Sequence, residues 1–119
     1  MNTKKIVYWG STGLISLLML FSASMYLFNY EEISKVFLSL GFPVFIIYPL
    51  AIAKLLGITA ILTRKVKTLT EWAYAGFFFD LLLAFGAHWF AADGGFVPAL
   101  VGLLLVIFSY VLGNQVREN

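Results

Sequence analysis

The feature that most constrains this chain is a series of four apolar runs, each about as long as a membrane-spanning helix. They cover about residues 6–28, 43–62, 70–91 and 96–112, with short polar segments between them. A helix rises about 1.5 Å per residue and needs roughly 20 apolar residues to cross the hydrocarbon core of a bilayer. Inside that core each backbone N–H and C=O must find its partner within the protein, so runs of this kind fold as helices. The expected fold is all-α and polytopic. It is a single membrane domain over residues 1–119, a four-transmembrane-helix bundle with a short amphipathic helix between spans 1 and 2. Composition agrees, since 61% of residues are hydrophobic and 12% charged, against about 25% charged in a typical soluble domain.

The punctuation between the runs sharpens this outline. Lys4 and Lys5 precede the first run, and Ser22-Ala23-Ser24 inside it looks like a signal-peptidase site. The run stays apolar past those small residues, which favours a retained helix over a cleaved leader. In residues 31–40, Ile33, Val36, Phe37 and Leu40 recur at spacings of three and four beside Glu31, Glu32 and Lys35. That period marks an amphipathic helix lying at the interface or folded over the bundle mouth. Pro49 should kink the second span or mark its first turn. Thr70 reads as the N-cap of the third span, with Glu71 in its first turn, and Gly113-Asn114 as the stop of the fourth.

Charge predicts orientation. Lys4, Lys5, Arg64, Lys65, Lys67 and Arg117 fall on one side of the predicted bundle, and Lys35 with Glu31, Glu32 and Asp93 on the other. The positive-inside rule then places both termini and the 63–69 loop in the cytoplasm. The net charge of +2 is divided among these loops, so the basic residues read as topology signals and no nucleic-acid partner is expected. The partner that the composition implies is the lipid bilayer.

Three ionisable residues fall inside the apolar runs: Lys54 in the second, Asp80 and His88 in the third. Lys54 lies eight residues and Asp80 ten residues from the same side, depths of roughly 12 and 15 Å. The two helices are antiparallel and joined by a short loop, so the ammonium and carboxylate can meet near the midplane. A lone charge there costs at least about 2.5–3.5 kcal/mol, so a partner is expected. Small residues at helical spacing, Ala53, Gly57 and Ala60 facing Ala73, Gly76, Ala84 and Ala87, predict a close approach. His88 lies two turns beyond Asp80, rotated by about 80°. It would line the outward mouth of the same cavity without touching Asp80. The pair reads either as a staple fixing helix register or as a site for a polar head group or a proton. Glu71 reads more simply as a partner of the helix dipole or the basic loop. One histidine and no cysteine make an incomplete set for a transition metal, so no metal is expected.

The order of Pro43 and Pro49, Lys54-Leu55-Leu56-Gly57, Glu71-Trp72-Ala73-Tyr74-Ala75-Gly76-Phe77 with Asp80, then Ala87-His88 and Asp93, resembles the DoxX-like family of small four-helix bacterial membrane proteins. The resemblance covers about residues 22–112. It implies a bundle in the bacterial plasma (inner) membrane. It also implies a link to quinone-dependent oxidation, because DoxX relatives are subunits of a terminal quinol oxidase or of thiosulfate:quinone oxidoreductase. It brings no established catalytic residues. Lys54, Asp80, His88, Glu71, Trp72 and Tyr74 therefore stand as ligand-binding or proton-relay candidates. Without haem-ligating histidine pairs or cysteines, the chain is not expected to be an enzyme on its own. The expected role is a quinone- or lipid-associated accessory subunit of a membrane oxidoreductase system. The alternatives are a small homo-oligomeric carrier or channel subunit, or a structural partner in a larger membrane complex.

Overall fold

A computed structural model describes residues 2–92 and 94–117. Five helices carry the chain: α1 Thr3–Phe28, α2 Tyr30–Ser39, α3 Ile47–Thr63, α4 Lys67–Ala91 and α5 Phe96–Val116. A 3-10 turn, Val44–Ile46, leads into α3, and there is no strand among the described residues. The helices α1, α3 with its lead-in, α4 and α5 are each long and apolar enough to cross a membrane. They form a ring in which α1 and α4 each pack against both α3 and α5. The long axis of the molecule measures 43 Å, close to the full thickness of a bilayer with its head groups, about 40–45 Å.

The bundle runs up and down, so both termini and the α3–α4 loop share one end, called here the terminal end. Arg117 fastens that end. Its guanidinium donates to the carbonyls of Leu62 at 2.8 Å and Thr63 at 3.4 Å, and to the Tyr8 hydroxyl at 3.2 Å. It thereby covers acceptors that the C-terminus of α3 leaves open and places a cation at the negative end of that helix. At the far end, α2 folds back against α1 and α3 through its buried Phe37, which meets Tyr26 and Phe42 edge-on. Glu31, Glu32 and Lys35 stay exposed.

Both span prolines sit in first turns. Pro49 is the third residue of α3 and Pro98 the third of α5. The N–H that proline lacks has no intrahelical partner at those positions, so neither breaks a helix. Two boundaries differ from the sequence expectation. The helix α4 begins at Lys67 with Val66 at its cap. Thr70 lies within the helix and donates its hydroxyl back to Val66 O at 3.1 Å and across to Ala60 O at 3.4 Å. Glu71 consequently lies beyond the first turn. At the other end α5 continues through Gly113 and Asn114 to Val116. A side chain at Gly113 would strike the Arg64 guanidinium and the Tyr8 ring, so this glycine serves close packing and not termination. Asp93, expected in the α4–α5 turn, lies outside the described residues.

The outer surface is apolar: Leu17, Phe21, Leu56, Leu83 and Phe90 are exposed. The interior carries the polar groups. Thr12 of α1 and Tyr74 of α4 both hydrogen-bond the buried Ser109 hydroxyl of α5, at 2.6 and 2.7 Å. Around that chain, Ile15, Ile61, Phe77 and Val106 fill the terminal half of the bundle.

Candidate functional site

Lys54 and Asp80 meet. The ammonium donates to Asp80 Oδ2 at 3.0 Å, with the lysine side chain 7% and the aspartate 25% exposed. Helix α1 supplies two further neighbours of the cation. Met19 Sδ lies 3.8 Å from Nζ, and the Tyr26 ring faces it with the centroid at 5.0 Å. The lysine is thus held by a carboxylate, a soft sulfur and a π face, while the carboxylate keeps the freer surface. Tyr26 also touches Phe37 of α2, which joins the amphipathic helix to the pair.

On the terminal side of the pair, the seam between α3 and α4 opens into a groove of 560 Å³. Its walls are Ala53, Gly57 and Ala60 of α3 and Ala73 and Gly76 of α4, the small residues expected to draw the helices together. Only part of that contact forms. The Phe77 ring packs onto Gly57, where a Cβ would come within 2.7 Å of its Cζ, while nothing lies within 4 Å of a Cβ added at Gly76. Phe77 wedges the helices, and the small side chains beside it leave the volume open. Leu56, Leu69 and Trp72 line the groove and are exposed, so it opens on the outer, lipid-facing side of the bundle. Lys54 and Asp80 close one end and Lys65 stands at the other.

A second cavity, of 190 Å³, lies on the far side of the same pair. Ser22, Tyr26, Lys54, Asp80 and His88 bring polar groups to its wall, and the rest of the lining is apolar, with Leu18, Met19 and Leu81 among it. His88 therefore does share a cavity with Asp80. It sits near the far end of α4, its ring lodged against Gly95, where a Cβ would come within 2.5 Å of Nδ1. The glycine of the α4–α5 turn makes room for the imidazole.

The other candidates separate from this centre. Trp72 lines the groove mouth. Tyr74 does not reach the groove: it is buried on the α5 side, bonded to Ser109 and edge-on to Tyr110. Glu71 faces the Tyr110 hydroxyl together with Asn114. Among the described residues, no three His, Asp or Glu side chains gather as a metal site.

Three contributors escaped the sequence reading. Met19 and Tyr26 belong to an inward stripe of α1, Tyr8, Thr12, Met19, Ser22 and Tyr26, whose spacing of three, four and seven was visible. Arg64 gave no such signal. It sits in the basic loop, holds φ at +50° as the left-handed cap of α3, and yet buries its side chain. Its guanidinium lies between the rings of Tyr8 and Tyr74, centroids at 5.9 and 5.6 Å, and its nitrogens have no hydrogen-bond partner among the described residues.

Together these features define a small polytopic protein whose four-span bundle carries an ion pair at mid-depth, between a lateral apolar groove and a polar inner cavity. Its family follows from the sequence match. Residues 10–110 match the DoxX-like family, and the chain belongs to it as a multi-pass membrane protein. Comparison with curated proteins and with solved structures gave no match.

Proposed function

We infer that this protein binds an amphiphile of the quinone class in the α3–α4 groove, as an accessory subunit of a membrane oxidoreductase system. The observation that carries this reading is a lateral apolar groove ending on the Lys54–Asp80 pair. Its volume of 560 Å³ lies within the range of about 300–1,000 Å³ typical of small-molecule sites. A long isoprenoid tail suits walls of Ala, Gly and Leu that open toward lipid. A ring suits the faces of Phe77 and Trp72. A carbonyl suits the Lys54 ammonium, which has donors beyond the one used on Asp80. The residues present therefore fit a quinone. Lys54 binds the head group, Asp80 holds Lys54 in place, and Trp72 guards the mouth. The family's association with quinone chemistry supports the same reading, as does the absence of cysteine and haem-ligand pairs, which leaves electron transfer to a partner.

In this reading the protein sits in a bacterial plasma membrane with both termini in the cytoplasm, where Lys4, Lys5, Lys65, Lys67 and Arg117 follow the positive-inside rule. A carrier or channel would need an axial path. The side chains of Ile15, Ile61, Phe77 and Val106 packed across the terminal half weigh against one.

The test is quinone extraction from the purified protein with mass spectrometry, together with thermal unfolding in detergent with and without a short-chain ubiquinone. Quinone co-purifying with the wild type, and a rise in unfolding temperature that Lys54→Met abolishes, are the expected results. Absence of both would overturn the assignment.

A further inference from the structure

The inner cavity has a different character from the groove, and it meets the same ion pair from the opposite side. Five of its lining side chains, Ser22, Tyr26, Lys54, Asp80 and His88, are polar or ionisable. Its 190 Å³ is room for several waters at about 30 Å³ each, beside polar side chains that can bind them. Ser22, Tyr26, His88 and Gly95 are half-buried and Pro98 is exposed, so the cavity leads toward the far end. Toward the terminal end it stops. Leu18, Met19 and Leu81 form its floor, and Ile15, Phe77 and Val106 fill the bundle below.

We propose that this cavity is an aqueous vestibule that connects the Lys54–Asp80 pair to the solution at the His88 face, and to that face alone. The ionisable groups facing Asp80 are Lys54 from α3, Tyr26 from α1 and His88 from α4 itself, while α5 contributes Pro98 and Ala99. His88, lodged against the turn at Gly95, stands on the way from the far end to Asp80. The arrangement gives the pair two separate entrances, lipid from the side and water from one end. The vestibule is independent of what occupies the groove, so its failure would leave the quinone reading untouched, and the reverse.

The chain has no cysteine, which suits cysteine accessibility. Ser22→Cys and Ala84→Cys report on the vestibule, Ala73→Cys on the groove, Ser16→Cys on the packed core and Glu31→Cys on the exposed far end. Each variant is reconstituted in vesicles and treated on one side at a time with impermeant methanethiosulfonates of either charge. The vestibule positions should react from the side that modifies Glu31→Cys and not from the other. Ser16→Cys should resist, and Ala73→Cys should react only with an uncharged, lipid-soluble maleimide. Vestibule cysteines that stay unmodified while Glu31→Cys reacts fully, or that react from the terminal side, would overturn the proposal. Two vestibule positions are used so that one poorly folding variant does not decide the result.

Discussion

The ion pair offers a way to separate stability from function. Replacing Asp80 by Asn removes the carboxylate partner of Lys54 in a site where the lysine side chain is 7% exposed, leaving the Met19 sulfur and the Tyr26 ring beside it. Breaking one side of a buried pair costs about 3–5 kcal/mol, and a lone charge at mid-membrane about 2.5–3.5 kcal/mol. The loss expected for Asp80→Asn is therefore about 3 kcal/mol. Lys54→Met strands a carboxylate that is 25% exposed and borders both cavities, so it should cost less. Removing both charges, as Lys54→Met with Asp80→Leu, exchanges the pair for apolar side chains of similar size. Such exchanges are often neutral or better, so the double variant should lie within about 1 kcal/mol of wild type. Reversible unfolding in mixed micelles, followed by tryptophan fluorescence, measures all four proteins. Losses in the double variant equal to the sum of the singles would refute the argument, because each charge would then act through other partners. The same double variant should give no stabilisation by quinone, where a ligand at 100 times its Kd adds about 2.7 kcal/mol to the wild type. A stable fold without ligand response is the signature of a site, and a stable fold with full response would assign the pair to structure alone.

Three further substitutions probe the surroundings. Gly76→Leu should occupy the groove, since a Cβ there meets nothing within 4 Å; stability holds or rises by up to about 1 kcal/mol from helix propensity, while the quinone-dependent shift in unfolding temperature disappears. Ser109→Ala removes the hydroxyl that Thr12 and Tyr74 share, and two stranded buried hydroxyls should lower stability by about 1–3 kcal/mol each, with most of the loss recovered in unfolding assays by adding Thr12→Val and Tyr74→Phe. Arg117→Gln takes the cation from the end of α3 and should speed hydrogen exchange at residues 60–63, for a loss of about 0.3–2 kcal/mol.

Most of the fold was legible because the bilayer imposes a length and a polarity on each helix. Four runs of apolar residues became four long helices, and antiparallel neighbours of matching depth brought Lys54 to Asp80. Helix ends were less legible, since Thr70 can cap a helix or turn its hydroxyl back into one, and Gly113 can end a helix or admit a neighbour. The groove was hidden for a related reason. A stripe of Ala and Gly permits close contact, but whether the helices close depends on a third party, here the Phe77 ring on Gly57. Arg64 was hidden most deeply. A basic residue in a short loop reads as solvated, and only the tertiary structure shows it turned inward between Tyr8 and Tyr74.

Buried charge and unfilled volume are both poor ways to stabilise a bundle, and they occur here side by side. An apolar pair at positions 54 and 80 would hold the helices as well, and larger residues at Gly76, Ala53 or Ala73 would take up the groove. Helix α1 adds Met19 and Tyr26 to the pair, contacts that soften a cation without neutralising it, and Tyr26 in turn rests on Phe37 of α2. A staple needs none of this. A head-group site does: it needs space beside the charge, a cation with donors left over, and a counter-ion to hold that cation in place. On that logic α2 is more than a cover for the far end. If the groove holds a quinone as proposed, a movement of Phe37 reaches the Lys54 ammonium through Tyr26, so Phe37→Ala should alter quinone affinity while leaving the groove walls in place.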